Sequence, residues 1–471
     1  MGGVLLGIAV LMTAPLFLDF AAGQASAAHF LSAIVIALFT GVTLLVLSAS
    51  KEVFDLTRRQ AFLTTALAWT LTPAIAALPL MSANLSFIDA YFEATSALTT
   101  TGSTVMVGLD TTSPGLLLWR SLLQWVGGIG IIVIGIIVMP FLRVGGMQLF
   151  RTESSDSSEK IFARGLDLVR WIAGIYLGLS VACAIVYGLL GMSTFDAINH
   201  AMTSIATGGF STHDASFAYF ESAGLEWAGV VFMASGALPF VAYIRTLRGR
   251  DKSLLNDIQA RAFLVFLAAV IFALALTHAE LNDVRFFDAL RLSAFNVTSI
   301  VTTTGYASDD YQLWGPFAVG AFFILTFVGG CSGSTSGGVK MYRLQILGRV
   351  AMAHLTRLVT PTQTVVVSYG TRRVDEEVEI AILTFLCAVL ISEVAITVIL
   401  SWLGLDLVTA LSATATCLAN VGPGLGSIVG PAGNFASLPE AAKAVLSLAM
   451  ILGRLEYFTL LVMLAPSFWR G

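Results

Sequence analysis

Charge is what this chain has least of. Only 11% of its 471 residues are Asp, Glu, Lys or Arg, against 57% hydrophobic ones. Soluble domains carry roughly 25% charge, so a water-facing globular fold is excluded. An all-α integral membrane protein is implied, with room for about ten to twelve spans of roughly 20 residues. Cysteine is scarce too. Cys183, Cys331, Cys387 and Cys417 lie in or beside apolar segments and show no CxxC spacing. They read as small buried residues, not disulfides or metal ligands. The histidines (His29, His200, His213, His278 and His354) are scattered without metal spacing. No Ser-His-Asp, paired-carboxylate or Cys-His constellation is visible, so nothing points to an enzyme. No strand–GxGxxG–helix pattern is present, so no nucleotide domain is built in, and no organic cofactor or nucleic-acid partner is expected. The N-terminus lacks a basic n-region and a clear cleavage site. Its first apolar stretch is therefore expected to be a retained span.

Apolar runs fall near 3–20, 28–48, 61–81, 114–140, 170–191, 225–244, 260–277, 313–330, 378–403 and 441–465. Between several of them lie amphipathic stretches too short to span, at about 87–99, 195–206, 288–302 and 406–418. Each short stretch ends in a polar, glycine-bearing run. The runs are Thr99-Thr100-Thr101-Gly102, Ala206-Thr207-Gly208-Gly209, Thr302-Thr303-Thr304-Gly305 and Asn420-Val421-Gly422-Pro423-Gly424. The first and third share a longer spelling, with Phe92, Thr95 and Ser96 matching Phe295, Thr298 and Ser299 at the same spacing. The unit of long span, short re-entrant helix, glycine loop and long span thus occurs four times. The expected organisation is a two-helix hairpin (1–50) and four repeats at 51–142, 143–245, 246–345 and 346–471.

Basic residues test the orientation. The segments 51–59, 143–170, 245–261 and 340–373, with Arg470, hold 20 of the 25 Lys and Arg residues. The others are Arg120, Arg285, Arg291, Lys443 and Arg454. The positive-inside rule places those segments in the cytoplasm and every glycine run on the opposite side. The repeats then share one orientation and surround one central pore. Inverted repeats would have put glycine runs on both sides, as a secondary transporter for another solute would need. The stretch from Arg151 to Lys160, with Ser154, Ser155, Ser157 and Ser158 among acids, reads as a solvated loop.

A cation that sheds its water needs neutral oxygens in exchange, and packed backbone carbonyls supply them. Turning successive carbonyls one way needs dihedrals that glycine tolerates. Gly102, Gly208, Gly305 and Gly422 are therefore expected to form a filter. Thr100, Thr101, Thr207, Thr303, Thr304, Asn420 and Val421 would add further carbonyls. Small-residue helix packing is the plainer reading of any single run, but it does not account for four at regular spacing. Each short helix would aim its negative C-terminal end at the ion. Asp89, Asp196, Asp288 and Asp406 sit near the outer starts, either capping those helices or gathering cations at the mouth.

Two further features stand out. The run Gly329-Gly330-Cys331-Ser332-Gly333-Ser334-Thr335-Ser336-Gly337-Gly338 interrupts the span after the third glycine loop. Unwound backbone at that depth belongs beside protein or a water-filled cavity, and a flexible loop below a filter is a natural gate. It is no phosphate-binding loop, since no GK[ST] follows. Arg454 lies near the middle of the last apolar run. A charge there costs about 2.5–3.5 kcal/mol or more unless it is paired or faces water. Pairing with Glu393 or Glu456 and projection into the pore both remain open.

These residues resemble the Trk/Ktr/HKT superfamily of potassium transporters, in its TrkH/TrkG branch. The motifs that carry the resemblance are Thr99 to Thr104, Thr207 to Thr212, Thr302 to Tyr306, Asn420 to Gly424, Gly329 to Lys340 and Gly453 to Thr459. The resemblance implies four M1–pore helix–M2 units around one pore, K⁺ as the transported ion, and a bacterial inner-membrane location. It also implies a homodimer and a cytoplasmic TrkA-like partner with nucleotide-binding domains. The loop at 329–338 would be an intramembrane gate opposed by Arg454. Sodium-preferring relatives often have serine at the first filter glycine. Gly102 is glycine, so potassium is implied. Ala206 departs from the serine common in the family.

Overall fold

The computed structural model describes residues 1–49, 57–134, 158–249, 253–363, 365–370 and 372–470. The basic segments at 51–56, 143–157 and 250–252 lie outside the described residues. So do Ser154, Ser155 and Ser157 of the serine-rich loop, and the end of the fourth apolar run. The regular secondary structure described is helical except for one two-residue strand pair and one isolated bridge.

The chain opens with α1 (Gly2–Leu11), α2 (Thr13–Ala21) and α3 (Ser26–Leu47). Next come α4 (Arg58–Ala76), α5 (Phe87–Leu98) and α6 (Pro114–Val133). A second group is α7 (Ser158–Leu189), α8 (Thr194–Ile205), α9 (Ala223–Gly236) and α10 (Phe240–Leu247). A third is α11 (Ile258–Asn282), α12 (Phe286–Val301) and α13 (Pro316–Phe327), followed by α14 (Met341–Val359). The fourth is α15 (Glu376–Trp402), α16 (Leu407–Ala419), α17 (Glu440–Arg454) and α18 (Phe458–Leu461).

Among the described residues, six stretches are apolar and long enough to cross a membrane without a sharp bend, namely α1 with α2, α3, α6, α7 from Asp167, α11 and α15. Two of the ten apolar runs become bent pairs instead. α9 and α10 meet at 90°, and α17 meets the segment from Phe458 at 107°. Pro239 explains the first bend, because it donates no backbone hydrogen bond and caps the new helix. At the second, Glu456 and Tyr457 take φ values of +58° and +57°, which stop the helix outright. The eighth run is shortened to the 12 residues of α13 by the glycine loop after it. The last run is therefore not a straight span, and Arg454 ends α17 at the bend rather than sitting mid-helix.

The amino-terminal hairpin is tied to the first repeat by a buried carboxylate. Asp19 accepts from the Gly115 N–H at 2.6 Å and from the hydroxyls of Ser26 and Ser113. Asp19 thereby supplies in trans the cap that α6 lacks at its own start. Phe30 of α3 meets Trp119 of α6 edge to face at 6.2 Å, and Trp119 donates to the Ala76 carbonyl that ends α4.

Candidate functional site

The four short helices end in one local structure. The N–H groups of Thr101, Gly208, Thr304 and Val421 donate to the carbonyls of Ser96, Thr203, Ser299 and Thr416 at 2.8, 2.9, 2.8 and 3.0 Å. This six-residue closure requires a left-handed residue just inside it, usually glycine. Here that place is taken by Thr100, Thr207, Thr303 and Asn420, with φ of +50°, +49°, +57° and +55°. Left-handed backbone costs a threonine roughly 1–2 kcal/mol, so Thr100, Thr207 and Thr303 hold strain, while asparagine tolerates this region better.

Two residues later the loops meet. A Cβ on Gly102 would lie 2.3 Å from the Gly208 carbonyl oxygen, and one on Gly209 would lie 1.9 Å from that of Thr304. A Cβ on Gly305 would lie 2.0 Å from the Val421 oxygen, and one on Gly422 3.0 Å from that of Thr101. The first loop thus abuts the second, the second the third, the third the fourth and the fourth the first. The chain closes a ring of four carbonyls, each set against a glycine of the preceding repeat. The register corrects one expectation. Gly209, with φ +74°, is the counterpart of Gly102, Gly305 and Gly422 (φ +88°, +88° and +114°). Gly208 instead shares the layer of Thr101, Thr304 and Val421.

Side chains brace the loops from behind. Thr99 and Thr101 share a hydroxyl contact of 2.7 Å, as do Thr302 and Thr304. The Glu93 carboxylate accepts from Val105 N and Thr104 Oγ1, and Arg120 Nε lies 2.8 Å from it. Arg120 in turn donates to the Ser211 carbonyl at 3.1 Å and stacks over Phe210. His200 and Asn296 sit at the equivalent helix positions and bond Ser211 and Ser308. Arg120 appeared in sequence only as a stray basic residue, and Glu93 was not singled out. A buried Arg in one apolar run and a Glu in a short helix were the available signal. Ala206 packs toward Gly128 of α6 rather than lining the ring.

The loop from Gly329 to Gly338 packs directly beneath three of the four left-handed residues. Thr207 donates to Thr335 Oγ1 at 3.1 Å, and that oxygen lies 3.0 Å from the Ile205 carbonyl and 2.9 Å from the Gly236 carbonyl. Gly337 N donates to Thr303 Oγ1 at 2.6 Å, with Ser336 Oγ 3.2 Å away. Gly338 N donates to the Ala419 carbonyl beside Asn420 at 2.8 Å. The loop is folded tightly on itself. A Cβ on Gly329 would lie 2.1 Å from the Gly337 oxygen. Ser336 Oγ accepts from Gly330 N, and Ser334 bonds the Cys331 carbonyl. Gly333 and Gly338 have positive φ. Of the three ring-base hydroxyls only that of Thr100 has no partner among the described residues, and Asn420 Oδ1 likewise has none.

Arg454 answers the question left open by sequence. Its Nη2 donates to the Thr335 carbonyl at 2.9 Å, while Nε and Nη1 have no partner among the described residues. Glu393 and Glu456 form no ion pair with it among the described residues, and Glu456 pairs with Arg343 instead. Arg343 also lies over the Phe385 ring at 3.8 Å. Arg454 lines a cavity of about 30 Å³ with Ser334, Gly337, Asn420 and Glu456.

At the other face the four aspartates mostly serve their own helices. Asp406 caps α16, accepting from Thr409 N at 3.0 Å. Asp89, Asp196 and Asp288 occupy the first turns of α5, α8 and α12, where the helix dipole favours them. Asp89 is bonded to Lys443 at 2.6 Å and Asp288 to Arg285 at 2.8 Å. His213 joins two repeats there. Its Nδ1 lies 2.5 Å from Asp110 and its ring stacks on Tyr219 at 3.4 Å. The hydrogen bond from His213 holds the Asp110 carboxyl below its usual range.

Residues 26–470 match the family model for TrkH, described as a cation transport protein. The chain belongs to the TrkH family. It is a multi-pass membrane protein of a transporter family, not an enzyme. It is 49% identical over 414 residues to the Trk system potassium uptake protein TrkI of Halomonas elongata, covering 87% of this chain and 84% of that protein. It is 36% identical to the Trk system potassium uptake protein TrkH of Vibrio parahaemolyticus, over 100% of this chain and 98% of that one. The crystal structure of the potassium transporter TrkH from Vibrio parahaemolyticus superposes with a TM-score of 0.91 at 33% identity, covering 100% of this chain and 98% of that one.

Proposed function

We propose that this TrkH-family chain is the K⁺-conducting membrane subunit of a bacterial Trk-type uptake system. One observation carries the reading, the closed ring in which four glycines seat four carbonyl oxygens of neighbouring repeats. Such oxygens replace the hydration shell of an alkali cation without a fixed charge that would trap it. The names of the relatives supply potassium as the ion. Thr100, Thr101, Gly102, Thr207, Gly208, Thr303, Thr304, Gly305, Asn420, Val421 and Gly422 form the filter, with Gly209 added to them.

Gating falls to Gly329, Gly330, Gly333, Ser334, Thr335, Ser336, Gly337, Gly338 and Arg454. Support comes from the hydrogen bonds that hold this loop under the ring and from the half-partnered guanidinium beside it. A loop that seals the pathway here must swing away for flux, and the fixed positive charge of Arg454 opposes a cation that would pass while it is closed. The four repeats are bounded at 51–142, 143–245, 246–345 and 346–471, after the hairpin at 1–50. The subunit sits in the inner membrane as a homodimer, and a TrkA-like nucleotide-binding partner acts on it from the cytoplasm.

Purified protein in liposomes, with K⁺, Rb⁺ and Na⁺ fluxes compared, tests the reading. K⁺ and Rb⁺ flux well above Na⁺ flux, lost in Gly305→Asp without loss of the folded protein, is the expected result. Equal fluxes of the three ions, or K⁺ flux surviving in Gly305→Asp, would refute it.

A further inference from the structure

The ring is not uniform. Three of its oxygens, on Thr101, Thr304 and Val421, accept no hydrogen bond among the described residues. The fourth, on Gly208, accepts from Gln124 Nε2 at 2.6 Å. Gln124 lies on α6, fully buried, one turn after Arg120. Its Oε1 accepts from Phe210 N at 3.1 Å. One carboxamide therefore grips the second loop at two points, on either side of Gly209. Arg120, on the same face of α6, grips it a third time at the Ser211 carbonyl.

The sequence of the loop carries the imprint of that grip. A Cβ on residue 208 would lie 2.5 Å from both Cδ and Oε1 of Gln124. The other three loops have Thr, Thr and Val at this place. The second has glycine because the carboxamide occupies the space.

We infer that Gln124 is a specificity-determining positioning residue, which pins the Gly208 carbonyl and sets the size and field of the ion ring. The inference rests on the filter reading above. Its sign follows from two independent arguments. A carbonyl held from behind cannot follow a smaller ion toward the axis, so the ring keeps the radius of the larger one. A carbonyl that already accepts a hydrogen bond also presents a weaker field, and weak fields favour the less strongly hydrated cation. Removing the donor thus shifts preference toward Na⁺ by either route.

The experiment compares K⁺ and Na⁺ flux ratios in liposomes for wild type, Gln124→Met and Gln124→Glu, with thermal unfolding of each protein measured in parallel. Gln124→Met keeps the volume and removes both hydrogen bonds. Gln124→Glu keeps the acceptor for Phe210 N and turns an acceptor toward the Gly208 oxygen. Both should lower the K⁺/Na⁺ ratio by roughly two- to tenfold, the factor one hydrogen bond of ordinary net worth carries. A merely structural residue would lower the unfolding temperature and total flux while leaving the ratio of the remaining flux unchanged. An unchanged ratio in either folded variant overturns the inference, as does failure of both to fold. The filter reading is judged separately by Gly305→Ala. If that substitution alters selectivity and Gln124→Met does not, the ring stands and the role of Gln124 falls.

Discussion

Replacing Gly305 by alanine puts a methyl carbon where the Val421 carbonyl oxygen is only 2.0 Å away, with Pro423 Cδ at 3.0 Å. The backbone there has φ +88°. Two costs arise and can be separated. Left-handed strain on a non-glycine residue is about 1–2 kcal/mol. Overpacking against a backbone atom that cannot rotate away adds about 1–3 kcal/mol. Gly404 isolates the first cost, since its φ is +96° and nothing lies within 4 Å of its Cβ position. The contact share alone corresponds to roughly a five- to 150-fold loss of the native ring geometry. Gly305→Ala should therefore reduce K⁺ flux in liposomes by that order and lower selectivity. Gly404→Ala should leave both near wild type. The graded series adds a further constraint. Gly209→Ala, at 1.9 Å, should match Gly305→Ala, Gly102→Ala, at 2.3 Å, should follow, and Gly422→Ala, at 3.0 Å, should be mildest. Normal flux and selectivity in Gly305→Ala, or a Gly404→Ala defect equal to it, would refute the reasoning, because the ring contact would then carry no weight.

Arg454→Ala should raise flux measured without the cytoplasmic partner, since it removes both the charge and the bond to the Thr335 carbonyl. Unchanged partner-free flux would reject a gating role. Thr335→Val and Thr207→Val should each loosen the closed state, and the double variant should show a coupling of about 0.5–3 kcal/mol in channel opening. Strict additivity would mean that their 3.1 Å contact is idle. Asp19→Ala should lower stability by about 0.5–2 kcal/mol, the worth of a helix cap. Thermal unfolding reads it, and a changed K⁺/Na⁺ ratio would contradict a purely structural role for the cap.

The repeat was legible because its parts obey local rules. A short helix with an acid in its first turn and a Thr-Thr-Thr-Gly end states both where it starts and where it stops. Phe92 and Phe295, in identical surroundings, aligned two copies at sight. The second copy was misaligned by one residue because Thr207-Gly208-Gly209 offers two glycines, and only the contact of Gly209 with Thr304 decides between them. The bend at Pro239 had a visible cause in sequence. The bend at Glu456 and Tyr457 had none, since neither residue is a helix breaker and the turn is imposed by tertiary packing. Sequence placed Arg454 beside two candidate acids but could not know that Arg343 takes Glu456. Gln124 left only a faint mark, a carboxamide in an apolar helix.

If the ring is the filter and the lower loop its gate, both rest on the same left-handed residues, which would limit how independently they act. Each pore helix ends on a left-handed Thr or Asn where glycine would cost nothing in backbone terms. Glycine there would remove the side chain. Those side chains are what the lower loop holds, through the Thr207 hydroxyl at Thr335 and the Thr303 hydroxyl at Gly337. The strain, about 1–2 kcal/mol at each threonine, thus keeps a hydrogen-bonding group at the base of the ring. If the loop withdraws as proposed, the Thr207 and Thr303 hydroxyls lose these partners together. Buried hydroxyls without partners are costly, so water or a passing cation must replace the loop. An open state of that kind would favour an occupied pathway, and the three-sided hold of the loop would make its release a concerted step rather than a series of local slips.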